Sequence, residues 1–292
     1  MNSQKINLDA LMPLEMAAKA SSIGVKKAKT GWKNVVMLAL MAGFFISLGA
    51  IFYTTTITTT GIPLAYGVNK LVGGLTFCLG LILVVIAGAE LFTGNNLIVM
   101  SLASGQVTLI QLLRNWVLVY LGNFLGAIGA VLLIFISGQY LMAEGQVGLN
   151  ALKIANAKCD LAFFQAIALG IICNSLVCLA VWLCFSARST TDKIMSIIFP
   201  VTAFVAIGSE HCIANMYFIP IGMMIKNFAP ASYWSQIGFT PADFPKITLE
   251  NFLVSNLLPV TIGNIIGGTL FVGLIYWFIY VRPSSSLKIT SD

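Results

Sequence analysis

The chain has 292 residues, of which 58% are apolar and only 9% charged, with a mean hydropathy of +0.93. Soluble domains run near ~45–50% apolar and ~25% charged, so a soluble domain is excluded. The net charge of +6 sits at segment ends, too sparse to build a groove that tracks a phosphate backbone, and nucleic-acid binding is excluded with it.

Residues 1–34 are polar and basic, and they carry Leu8, Leu11, Met12 and Met16 at helical spacing. That pattern predicts an amphipathic helix lying against a cytoplasmic surface. No secretory signal is read here, and the first apolar run, starting near Val35, is expected to double as the targeting signal. Four uninterrupted runs predict spans at Val35–Tyr53, Leu112–Ile136, Leu161–Phe185 and Phe252–Val281. Two further runs are broken. Leu71–Ala89 meets Glu90 and resumes as Leu97–Ala103; Ile194–Gly208 meets Glu210 and His211 and resumes as Cys212–Ile225. The expected fold is therefore an all-α polytopic membrane protein with six crossings, the second and fifth interrupted. A channel domain spans 35–282 and a short tail 283–292. With the N-terminus inside, eleven Lys and Arg fall on the cytoplasmic side and five on the other, which places both termini in the cytoplasm. The six cysteines form no CxxC pair and fall mostly within apolar runs, so they read as small buried hydrophobes, with no metal and no cofactor expected.

The two breaks resemble each other. Gly88-Ala89-Glu90-Leu91-Phe92-Thr93-Gly94-Asn95 can be laid on Gly208-Ser209-Glu210-His211-Cys212-Ile213-Ala214-Asn215. The spans that follow repeat too: Asn115, Gly122, Asn123 and Gly126 match Asn256, Gly263, Asn264 and Gly267 in spacing. Three crossings separate the copies, so the halves, about 35–137 and 161–281, form an inverted 3+3 repeat, as in channels and transporters. Irregular backbone at bilayer depth is tolerated only where protein or a wet cavity satisfies it, and intramembrane Glu90, Glu210 and His211 are costly enough to be read as functional. His211 is the single histidine of the chain. The glutamates are expected to cap or brace the breaks, and the paired glycines to allow close helix packing.

At these residues the sequence resembles the formate/nitrite transporter family, from about Leu11 to Arg282. The resemblance is carried by Ala87–Thr93, Asn174–Trp182, Glu210–Met216 and Asn256–Asn264, and it is nearest to the formate channel branch. It implies an aquaporin-like six-helix protomer with its own pore, forming a homopentamer in a bacterial inner membrane. It further implies that Leu81, Leu91, Phe92 and Phe204 form hydrophobic constrictions around a small chamber, that Thr93 and His211 face that chamber, and that Lys158, Asn174 and Asn215 recruit or orient the anion. A soluble formate-metabolising enzyme is a possible partner for the N-terminal segment.

The expected function is a channel for formate, pH-dependent through His211. The alternatives are a proton-coupled formate symporter using the same residues, or a channel for nitrite or hydrosulfide, all small monovalent anions of weak acids. A membrane enzyme or redox subunit is disfavoured: one histidine cannot ligate a haem pair, and neither a cysteine cluster nor a nucleophile–base pair is visible.

Overall fold

The structure, a computed structural model, describes residues 10–282. Leu8, Lys5, Lys288 and the 283–292 tail lie outside the described residues. The described chain is all helical. In order, the helices are α1 (Pro13–Lys29), α2 (Trp32–Thr56), α3 (Tyr66–Ile86), α4 (Val99–Ala103, entered through a 3-10 turn at Gly94–Ile98), α5 (Leu109–Ile136), α6 (Gln146–Cys159), α7 (Phe163–Ser186), α8 (Thr190–Ala206), α9 (Cys212–Phe228), α10 (Ala231–Ile237) and α11 (Asn251–Val281). Helix is what such apolar runs must form in lipid, because it satisfies every backbone N–H and C=O within one segment. Among the described residues, α2, α3, α5, α7 and α11 are each long and apolar enough to cross a bilayer.

Helix α3 stops at a left-handed glycine. Gly88 has φ of +82°, and its counterpart Gly208, after α8, has φ of +75°. Ala89 N–H returns to the Val84 carbonyl and Ser209 N–H to the Phe204 carbonyl, the six-to-one bond of a glycine-terminated helix. A side chain at either glycine would meet the left-handed penalty. Helix α5 begins at a reciprocal cap between Thr108 and Gln111, and α8 at one between Ser189 and Asp192.

Packing follows the small residues. A Cβ on Gly126 would run into the Leu40 carbonyl oxygen, and one on Gly267 into the Ile171 carbonyl oxygen, so α2 lies directly on α5 and α7 directly on α11. Without a hydrophobic drive between helices in lipid, such close approach is what holds them. Gly126→Ala and Gly267→Ala are each expected to destabilise by about 1–3 kcal/mol, read as a lower unfolding midpoint in detergent.

The matched hydrogen bonds of the two halves reach further back than the boundaries read from sequence. Lys27 in α1 pairs with Glu90 just as Lys158 in α6 pairs with Glu210. Helix α1 is therefore the counterpart of α6, and both belong to the repeated unit. Nor is the buried face of α1 the run of large apolar residues expected from sequence. The helix starts at Pro13, Met12 is exposed, and the face against the body is built from Met16, Ala17, Ala20, Ser21, Gly24 and Ala28. Ser101 donates to the Ser21 carbonyl and Ser21 to Gln106, fixing α1 to the α4 region.

The connection from α9 to α11 carries α10 and a short capped turn in which Asp243 accepts from the Thr240 N–H and hydroxyl at 2.7 and 2.8 Å. These bonds, the backbone one first, hold the Asp243 carboxyl below its usual range. A carboxyl depressed on folding stabilises above its unfolded pKa and loses that contribution as pH falls through the folded value. The protection factors of amides 238–247, exchange rates corrected for their intrinsic pH dependence, should fall on acidification through the carboxylate range, and in Asp243→Ala they should be low at every pH.

Candidate functional site

The site is built where the two non-helical segments meet. In each, an asparagine from the following long helix clamps the loop. Asn123 accepts from the Phe92 N–H at 3.0 Å and donates to the carbonyls of Ala39 and Glu90 at 2.8 and 2.9 Å. Asn264 accepts from the Cys212 N–H at 2.9 Å and donates to the carbonyls of Gly170 and Glu210 at 2.8 and 2.9 Å. Each clamp fills all four hydrogen-bonding sites but one of its amide and leaves the loop backbone paired in a dry interior. Sequence reading had singled out Asn123 and Asn264 as part of a repeat without giving them this task.

A second shared network braces each loop from the side. Lys27 donates to Glu90 at 3.1 Å, Asn95 donates to Glu90 and to Asn115, and Asn115 donates to the Lys27 carbonyl. In the other half Lys158 donates to Glu210 at 2.8 Å, Asn215 donates to Glu210 and to Asn256, and Asn256 donates to the Lys158 carbonyl. Glu90, Glu210, Lys158 and Asn215 thus belong to braces, with Lys27, Asn95, Asn115 and Asn256 as partners; the repeat marks the three asparagines without showing this role. Pairing, with further hydrogen bonds from the asparagines to the carboxylate, is what lets a lysine and a glutamate remain largely buried together.

Between the loops lies a polar pair. His211 is the N-cap of α9: its Nδ1 accepts from the Ala214 N–H at 3.2 Å. An accepting Nδ1 places the proton of the neutral ring on Nε2, which faces Thr93 Oγ1 at 3.1 Å. The Thr93 hydroxyl keeps its own proton to give. Both side chains are buried. In the repeat, His211 corresponds to Leu91 and Thr93 to Ile213, so one symmetry-related pair is polar and the other apolar.

Two cavities lie near the loops; His211 lines the first, while Thr93, expected to face a chamber, lines neither. On the α6 side a cavity of about 230 Å³ is lined by Tyr53, Phe77, Lys158, Phe204 and His211. Phe204 lies parallel to the His211 ring, 6.2 Å between centroids, and edge-on to Phe77 at 5.7 Å. On the α1 side a cavity of about 530 Å³ is lined by Lys19, Lys27, Leu81, Glu90, Leu91 and Lys193. Leu81, Leu91, Phe204 and His211 therefore each line one of the two cavities. Phe92 does not: its ring packs against Trp116 and Tyr120 at 5.9 and 5.0 Å, and it lines neither cavity. The clamp of its N–H by Asn123 sets the loop so that Leu91 and Phe92 point to opposite sides, which spacing alone does not reveal. Asn174 also lies behind the loop, donating to the Thr93 and Asn264 carbonyls and to Asn96.

Buried like loops meeting at a polar pair, with a cavity at either face of an apolar helical body, define a polytopic membrane protein of the channel and transporter class. The formate/nitrite transporter family model matches residues 14–278, and the chain belongs to that family. It is 50% identical over 276 residues to the formate channel FocA of Escherichia coli (strain K12), covering 94% of this chain and 96% of that one. It is 43% identical to the formate channel FocA of Haemophilus influenzae, covering 93% and 95%. Among solved structures it resembles a pentameric formate channel with formate bound (TM-score 0.82, 49% identity, 86% of this chain and 98% of that one) and an FNT family ion channel (TM-score 0.76, 29% identity, 91% and 98%).

Proposed function

We propose that the protein is a formate channel, a homopentamer of six-crossing protomers in a bacterial inner membrane, with each protomer carrying its own pore and both termini in the cytoplasm. The second crossing is α3 with the Gly94–Ala103 piece, and the fifth is α8 with α9. Neither 17-residue half of the fifth crossing spans a ~30 Å hydrocarbon core alone, and Glu210 and His211 interrupt them. The observation that carries the reading is His211, lining the α6-side cavity beside Phe204 and bonded to Thr93 in the opposite loop, where Leu91 lines the α1-side cavity with Leu81. The likeness in sequence to formate channels favours formate over nitrite or hydrosulfide.

A carboxylate passing an apolar ring loses hydration worth several kcal/mol. Lys70 at the α6-side cavity and Lys19, Lys26 and Lys193 at the α1-side cavity raise the local anion concentration, since Lys158 and Lys27 are offset by Glu210 and Glu90. At the centre, the His211 Nε2–H donates to Thr93 Oγ1, which leaves the Thr93 hydroxyl proton to donate to the anion in place of water. A second proton on the ring has only Nδ1 to occupy and must break the Ala214 bond, so the cationic ring persists only where a neighbouring anion offsets it. Anion occupancy and ring protonation therefore favour each other, and the substrate crosses sharing a proton with the site. Asn174 holds the Thr93 backbone, and Phe92 supports the loop from behind.

Flux of formate, nitrite and hydrosulfide, measured on one reconstituted preparation, tests the reading. Formate is expected to be the fastest and to be slowed by the other two in competition; nitrite or hydrosulfide passing while formate does not would reassign the substrate. Formate accumulating against its own gradient when only a proton gradient is applied would favour the symporter.

A further inference from the structure

Among the described residues, the buried side-chain atoms without a hydrogen-bond partner are Ser209 Oγ and Asn215 Oδ1. Both residues line the α6-side cavity, with Ser209 9% and Asn215 0% exposed. The Asn215 amide has one orientation, because its Nδ2 donates to Glu210 Oε2 and to Asn256 Oδ1, both at 2.7 Å. Its oxygen is left to accept from something else.

The repeat provides an internal comparison. Asn95 makes the same Nδ2 bonds, but its Oδ1 accepts from Lys27 at 2.8 Å, so one lysine serves both Glu90 and Asn95. Lys158 serves Glu210 alone. Its ammonium lies 5.3 Å from the centre of the Phe218 ring, where the other half has Ile98 in the equivalent position. An aromatic face attracts the ammonium, and an aliphatic side chain does not. Ser209 likewise corresponds to Ala89, which has no hydroxyl. Two substitutions within the repeat, Phe for Ile and Ser for Ala, thus leave a polar site on one face of the molecule and not on the other.

We infer that Ser209 and Asn215 Oδ1 form a binding site, confined to the α6-side cavity, for a small neutral O–H donor: water, or the undissociated form of the substrate acid. An amide oxygen only accepts, so the guest must donate, which an anion cannot do. The serine hydroxyl accepts or donates as the guest requires. Lys158 and Glu210 neutralise each other on this wall, and the remaining charged or titratable groups lining the cavity are Lys70, His211 and Tyr53. The cavity wall is otherwise mostly apolar, so the two unpaired oxygens are where an ordered molecule would be held. The site's existence is independent of the channel reading; its effect on flux rests on that reading.

Electron cryo-microscopy of the full chain in lipid nanodiscs tests it in three buffers: without formate, with formate below its pKa, and with formate well above it. Density within hydrogen-bond distance of Asn215 Oδ1 and Ser209 Oγ is expected in all three. A rounded peak without formate identifies water, and an elongated one in acidic formate alone identifies the acid. No density in any buffer, or a Lys158 ammonium turned onto Asn215 Oδ1, overturns the proposal. Ser209→Ala, which copies the Ala89 side of the repeat and so leaves the fold intact, is expected to weaken the density. It should also raise the half-saturating formate concentration several-fold from the α6 face while leaving that from the α1 face unchanged. An equal shift from both faces, or density that the substitution leaves unchanged, counts against the site; weakened density with no shift identifies the occupant as water. Density present in a wild-type protein that carries no formate would leave the site standing and remove the channel reading.

Discussion

In proteoliposomes, His211→Phe is expected to carry formate at a rate that no longer follows pH. Phenylalanine keeps the planar ring against Phe204 but removes both nitrogens, and with them the donor to Thr93 and the cap on the Ala214 N–H. Loss of an N-cap costs about 1 kcal/mol, so this variant should also unfold at a lower temperature. His211→Asn separates the two effects. Asparagine caps a helix well and does not titrate, so it should restore stability while the pH profile stays flat. A wild-type pH profile in His211→Asn would show that another group carries the proton dependence.

Asn264→Ala is expected to be the most damaging single change in the molecule. It removes the acceptor for the Cys212 N–H and the donor to the carbonyls of Gly170 and Glu210, all at a loop shut off from water. Each buried group left unpaired costs about 1–3 kcal/mol, so the total is roughly 3 kcal/mol or more. Asn123→Ala removes the matching clamp and should behave alike. Asn251→Ala, at a half-buried asparagine that donates to the Lys246 carbonyl and accepts from Ser255, is the control and should lower the midpoint far less. Thermal unfolding of the purified protein in detergent reads all three. Equal midpoints for Asn264→Ala and Asn251→Ala would mean that the clamp carries little of the loop's stability.

Much of this was legible in the chain because lipid makes polar residues expensive. Glu90, Glu210 and His211 inside apolar runs mark the breaks, and Gly88 and Gly208 mark where each helix must turn. The asparagine and glycine spacings of α5 and α11 expose the repeat, since only small residues permit those helices to touch α2 and α7. Other features depend on direction in space, which spacing does not encode. Phe92 follows Leu91 in sequence yet turns toward Trp116 and Tyr120 because Asn123 holds its backbone. Asn174 reads as a pore residue and instead supports the loop behind Thr93. Helix α1 reads as an appendage because its buried face is made of alanine, serine and glycine rather than large apolar residues. A signal was present: Lys27 and Leu38 share their spacing with Lys158 and Leu169, and Leu38 and Leu169 accept from Glu90 and Glu210 N–H. The partial asymmetry of the repeat, with Leu91 opposite His211 and Ala89 opposite Ser209, is visible in the aligned breaks and acquires meaning only from the cavity that each residue lines.

Collapse of an imposed gradient of isotopically labelled formate, in vesicles with and without the wild-type protein, tests the central claim most directly. A channel built around the Thr93–His211 pair should equalise the gradient far faster than lipid alone and stop at equal concentrations. A rate no greater than that of empty vesicles would contradict it.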